Sequence, residues 1–238
     1  MISQKEEDTG MQPASELIDL FAAVLLFALA HFVMSGFLRT RLISAMGSQT
    51  FLLVYSLVSL ALFGWALVAF DRAPDTSPLW NGSNPVIWAV ASVITILALA
   101  LFLSSFMRNP ALPGVNPAGL GTIIPTGVFT ITRHPMMWGI SLWAFAHIMV
   151  APSARVLVLM GGLILVALLG SHFQDKRKIR QNNREFSPWQ RRTTYWPNLR
   201  NLDKLRTATL IALVLWFLAT TAHWHFFGIP AGLWMWLG

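Results

Sequence analysis

The chain has 238 residues, 55% of them hydrophobic and only 11% charged. A soluble domain carries about 25% charged residues, so this composition excludes a water-soluble globule and, being strongly apolar, excludes disorder. Cysteine is absent, which removes disulfides, thiolate metal ligands, iron–sulfur clusters and cysteine nucleophiles, while the net charge of +7 acquires meaning only from where the charges lie.

Six apolar runs follow in chain order: about Leu17–Leu38, Phe51–Phe70, Pro85–Met107, a shorter one at Met136–Ala151, then Ala154–Phe173 and Thr207–Phe227. Crossing a bilayer takes about 20 helical residues. The runs are continuous rather than alternating, which argues against a β-barrel. Only Pro152 and Ser153 separate the fourth and fifth, so these read as a tight helical hairpin. The expected fold is therefore all-α, a polytopic bundle of about six transmembrane helices forming one domain over residues 17–230. A tail at 1–16 precedes it, and a Trp-rich tail, 231–238, is too short to span and belongs at the interface.

The basic residues sort by side. Fourteen of the 17 Lys and Arg fall after spans one, three and five, ten of them in the segment from Gln174 to Arg206; only Lys5, Arg72 and Arg155 fall elsewhere. The positive-inside rule then places those linkers in the cytoplasm and both termini outside, in the periplasm of a bacterial inner membrane. The acid-rich start (Glu6, Glu7, Asp8, Glu16) lacks the positive region of a secretory signal. The basic segment has two readings: topology with attraction to anionic lipid, or capture of an anionic cofactor group.

Ionisable groups inside the apolar runs are costly and so carry the functional information. No Asp, Glu, Lys or Arg lies well inside a run; Asp19 and Arg155 sit at ends. Histidine is the exception. His31 lies roughly 10 Å in from the cytoplasmic end of span one, and His147, eleven residues beyond Met136, roughly 16 Å into span four. His134 and His172 sit at cytoplasmic ends. His223 and His225, two apart near the outer end of span six, point in different directions and read as interface residues. A deep histidine either bonds a neighbouring helix or donates its lone pair to a metal. Too few deep ligands exist for a multidentate zinc or di-iron site, but two imidazoles from two helices suffice to clamp a haem of the b type; no Cys-x-x-Cys-His attachment is present.

The stretch from Asn109 to Thr132 is rich in Gly and Pro and cannot be helical throughout. It leads into Thr132-Arg133-His134-Pro135, where Pro135 suits a first helical turn. Arg133 and His134 either flank a helix start or contact an anion at the cytoplasmic mouth.

Two patches then resemble a known family: Ala30-His31-Phe32-Val33-Met34-Ser35 followed by Arg39 and Arg41, and Thr132-Arg133-His134-Pro135 followed by Gly139 and Trp143-Ala144-Phe145-Ala146-His147. Together they are similar to the NnrU family of bacterial inner-membrane proteins over about residues 15–226. That family is associated with denitrification and nitric oxide metabolism and is related to the plant 15-cis-ζ-carotene isomerase. The resemblance implies haem b with His31 and His147 as iron ligands and as the residues carrying the chemistry, and it adds His134, Arg133 and Arg39 as partners of the cofactor or its propionates. The ligand it implies is a hydrophobic polyene, or a gas such as nitric oxide. The isomerase carries a cysteine three residues before its second histidine, where this chain has Ala144, so a thiolate ligand switch is closed to it. Arg133-His134-Pro135 with Gly139, Glu185, Trp189 and Tyr195-Trp196-Pro197 is also similar to isoprenylcysteine carboxyl methyltransferases, with Asp175 where an early glutamate is expected. That likeness implies S-adenosylmethionine chemistry as an alternative to a haem-dependent isomerase or redox enzyme, and a non-catalytic sensor or assembly factor is the third.

Overall fold

The computed structural model describes residues 3–107 and 119–237, with side chains from residue 14 onward. Within them every long element is a helix: α1 (Ser3–Phe32), a π-helical turn (Val33–Phe37), α2 (Arg39–Met46), α3 (Ser48–Arg72), α4 (Pro85–Ser104), α5 (Pro135–Val150), α6 (Ala154–Gln181), α7 (Asn183–Arg192), α8 (Arg206–Phe227) and α9 (Trp234–Leu237), with 3₁₀ turns at Gly127–Thr130 and Leu199–Leu205. Five helical stretches, Ala14–Phe37, Ser48–Arg72, Pro85–Ser104, Ala154–Gln181 and Leu199–Phe227, are long and apolar enough to cross a membrane. The chain is a multi-pass helical membrane protein. The fourth expected span, α5, has 16 residues, about 24 Å of rise, and falls short of a 30 Å hydrocarbon core by length alone. Large side chains such as Phe21, Leu60, Val93 and Leu210 stand exposed along these helices, as lipid-facing residues do.

Three boundaries differ from the sequence reading. α1 begins at Ser3, so the expected tail at 1–16 is largely helical backbone. α6 runs on through the charged residues to Gln181, because Gln, Lys and Arg are good helix formers and no breaker intervenes before Asn182. The Trp-rich tail forms α9, a single turn folded against α8: Trp234 stacks on Trp224 at 4.6 Å and donates from Nε1 to the Thr221 hydroxyl at 3.2 Å. The loop residues Asn109-Pro110, Pro113-Gly114 and Asn116-Pro117, and Arg108 before them, lie outside the described residues.

The chain divides into two compact units, Met1–Gly82 with Ala151–Val166, and Ser83–Val150 with Ala167–Gly238. In the first, α1 packs on α3 through rings such as Phe27 and Phe63, 5.5 Å apart. Arg155 at the start of α6 bridges back to the connection after α3, its Nη2 3.2 Å from Asp75 Oδ2 and its Nη1 donating to the Ala73 carbonyl at 3.3 Å. In the second, α4 packs on α5 and α8. Gly139 makes the first of these contacts possible: a Cβ there would lie 2.7 Å from the Ala98 carbonyl oxygen. Trp216 on α8 donates to Thr95 on α4 at 3.1 Å. A core of Leu101, Phe129, Ile131, Trp138, Phe186 and Trp189 lies below the helix ends.

Candidate functional site

His31 lies at the end of α1, two residues before the π turn begins. That turn is marked by the Leu38 amide bonding the Val33 carbonyl at 2.9 Å, five residues back; such turns interrupt the regular ladder and recur at functional sites. The ring is half-buried among aromatic neighbours, with Phe27 at 6.1 Å, Phe32 at 6.1 Å and Tyr55 at 5.3 Å. The Tyr55 hydroxyl on α3 lies 2.8 Å from Nδ1 and 2.9 Å from Nε2, so it ties the ring to α3. Phe51 stacks on Tyr55 at 5.8 Å and carries the Arg39 guanidinium over its own ring at 4.9 Å. Burial draws the Arg39 pKa below its ordinary value, but a guanidinium starting above about 12 stays charged. His31, Tyr55, Phe51 and Arg39 thus form one connected group in the first unit.

His147 belongs to the second unit. Its Nδ1 lies 2.8 Å from the Trp143 carbonyl oxygen one helical turn back. A carbonyl only accepts, so Nδ1 carries the proton and Nε2 keeps the lone pair. This is the tautomer a metal-binding histidine needs, its ring oriented by a backbone carbonyl. The Trp143 ring sits 4.3 Å away. Among the described residues no group of three or more His, Asp or Glu could hold a metal ion. His147 Nε2 is thus a nitrogen donor of the kind a metal accepts.

Arg133 and His134 have a different setting. Asp175 on α6 receives both, Arg133 Nε at 2.7 Å on Oδ2 and His134 Nε2 at 2.9 Å on Oδ1, with the Arg133 side chain 9% exposed and those of His134 and Asp175 5%. The anion expected at this mouth is present within the chain. The pair is pinned further by the segment after α7. The Thr132 hydroxyl donates to the Tyr195 carbonyl at 2.7 Å, and Trp138 Nε1 donates to the same oxygen at 2.9 Å. The Arg133 amide bonds the Thr194 carbonyl at 2.9 Å, and Asn198 N bonds the Ile131 carbonyl at 2.8 Å. Tyr195 lies under the Arg133 guanidinium at 5.5 Å, and its hydroxyl donates to the Leu168 carbonyl at 2.7 Å. α5 begins at Pro135, as its fixed φ and missing N–H suit.

Sequence reasoning missed Asp175 as the partner of Arg133 and His134, more than 40 positions away, and Tyr55 as the partner of His31. Asp175 is the first acidic residue after span five and Tyr55 one of two tyrosines in the chain; those rarities were the available signals. His223 donates from Nδ1 to the Ala219 carbonyl within its own helix at 2.8 Å, and His225 lines a shallow depression with Thr221 and Trp224.

Fold and polar inventory define a multi-pass helical membrane protein whose histidines fall into a carboxylate-paired class and a carboxylate-free one. The NnrU family profile, described as "NnrU protein", matches residues 19–231, and the chain belongs to that family. Two curated relatives are similar to it. The chloroplastic 15-cis-zeta-carotene isomerase of Arabidopsis thaliana is 28% identical over 194 residues, which is 76% of this chain and 49% of the relative. That of Zea mays is 24% identical over 196 residues, 79% of this chain and 52% of the relative. The chain thus spans about half the length of the curated relatives it matches. No solved structure matches it.

Proposed function

We propose that the protein is a bacterial inner-membrane haem b protein that isomerises a hydrophobic polyene of the ζ-carotene type. The observation that carries the haem assignment is the Nδ1–H of His147 committed to the Trp143 carbonyl at 2.8 Å, which leaves Nε2 as an iron ligand. His31 is the second proposed ligand, and Tyr55 bonds its ring. Haem held by these histidines would supply an iron centre for the isomerisation. Arg39, beside His31, balances a propionate. Arg133 and His134, both engaged by Asp175, hold the chain's own framework around the cofactor and reach it only indirectly. The chain has no cysteine to offer as an alternative ligand. The substrate class comes from the named activity of the two relatives, and the lipid-facing helices give a polyene a route from the bilayer. The basic linkers face the cytoplasm.

The test purifies the protein in a neutral detergent, measures haem content by pyridine haemochrome, and supplies 15-cis-zeta-carotene in reconstituted vesicles under oxidising and reducing conditions. The expected result is about one haem b per chain and a shift of isomer ratio, followed by chromatography, that depends on iron redox state. Haem without isomerisation removes the substrate assignment; protein purified without haem and unable to take it up removes the whole reading.

A further inference from the structure

We infer that the basic end of the second unit is a binding surface for anionic phospholipid headgroups. The segment from Gln174 to Arg206 holds ten Lys and Arg and three acids, Asp175, Glu185 and Asp203. Each acid is already engaged. Asp175 takes Arg133 and His134, Glu185 accepts from the Gly121 amide at 2.7 Å, and Asp203 pairs with Lys204 at 2.8 Å. With ten cations against three acids the segment keeps a net positive charge.

The way α7 sits gives this charge a face. Phe186 and Trp189 are buried, with Trp189 5.8 Å from Phe129. Arg184 and Arg191, seven residues apart and so on one side of the helix about 10 Å apart, are exposed. Arg192 reaches the Gly121 carbonyl, and that bond with the Glu185 bond ties the loop around Gly121 to α7. Three large apolar side chains of this unit are exposed as well: Ile124 at 75%, Trp196 at 69% and Leu199 at 67%. Arg200 follows Leu199, and the apolar run of α8 starts after Arg206. Cations flanked by exposed Trp, Leu and Ile at the mouth of a span match the layered chemistry of a headgroup region, with phosphates above and acyl chains below. The cations are spread along α7 and the following 3₁₀ turn instead of converging on a point, which suits several headgroups rather than one soluble anion.

The full chain in neutral detergent is titrated with phosphatidylglycerol and, separately, phosphatidylcholine, and bound lipid is counted by native mass spectrometry. Phosphatidylglycerol is expected to bind in preference, and the triple variant Arg184→Gln, Arg191→Gln, Arg200→Gln to lose about tenfold or more of that affinity, with phosphatidylcholine adducts and the circular dichroism spectrum unchanged. Equal binding of the two lipids by the wild type, or a triple variant that keeps the preference, overturns the inference. So does displacement of phosphatidylglycerol by millimolar inorganic phosphate at constant ionic strength, which would make the surface a site for soluble phosphate. This surface does not depend on the haem reading and can stand or fall apart from it.

Discussion

His134 and His31 are the same residue type in two environments. His134 is buried and shares a carboxylate with an arginine, its Nε2 2.9 Å from Asp175, while Arg133 also lies over the Tyr195 ring. His31 has a neutral phenol at 2.8 Å and aromatic walls. The difference teaches how to sort membrane histidines. His134 is fixed by a charged partner that also binds an arginine, whereas His31 and His147 bond neutral partners, a hydroxyl and a backbone carbonyl.

The comparison is broken most severely by Asp175→Ala. Removing the carboxylate leaves the Arg133 guanidinium buried without its counter-charge, and breaking such a pair costs about 3–5 kcal/mol. The variant is expected to lose most of its yield or to melt far below wild type by thermal fluorescence in detergent. Near-wild-type melting would mean the pair is not what holds this end. Gly139→Ala comes next. Its Cβ would meet the Ala98 carbonyl at 2.7 Å, against backbone that cannot swing away, and overpacking of this kind costs about 1–3 kcal/mol; the same melting assay reads it, and an unchanged midpoint would contradict the close approach of α4 and α5.

Trp138→Phe keeps the ring volume largely in place but removes the bond to the Tyr195 carbonyl. A loss of about 1 kcal/mol is expected, seen as a small downward shift of midpoint with haem content intact. Tyr55→Phe sharpens the contrast from the other side: it should alter stability less, yet, under the proposed ligation by His31, move the redox midpoint of bound haem, because its hydroxyl bonds the His31 ring. A large stability loss with no change in potential would place Tyr55 among the packing residues instead. The smallest effect belongs to Asp75→Asn. Asp75 is 71% exposed opposite Arg155, and pairs of that kind are worth about 0–1 kcal/mol.

The spans were legible because each is a continuous apolar run, and α3 and α8 start or stop within a few residues of the expected limits. The ends that failed did so for local reasons. α6 continues through Asp175 and Lys178 because charge does not stop a helix of good formers, and α7 forms with Pro188 inside it, held by the burial of Phe186 and Trp189. His31 and His147 stand in the last turns of α1 and α5, while Pro135 was legible as a helix start. The Asp175 pairing was not, because a contact across 41 positions leaves no periodic trace; nor was the π turn after His31, which no residue in Val33–Phe37 announces.

The most direct measurement is the absorption spectrum of the purified protein, oxidised and dithionite-reduced, for wild type, His31→Ala, His147→Ala and His134→Ala. The account predicts a sharp Soret band with resolved reduced α and β bands in wild type, weakened or lost in both His31→Ala and His147→Ala, and kept in whatever folded fraction of His134→Ala can be recovered. Wild-type spectra from both His31→Ala and His147→Ala, or loss of the bands in folded His134→Ala alone, would contradict it.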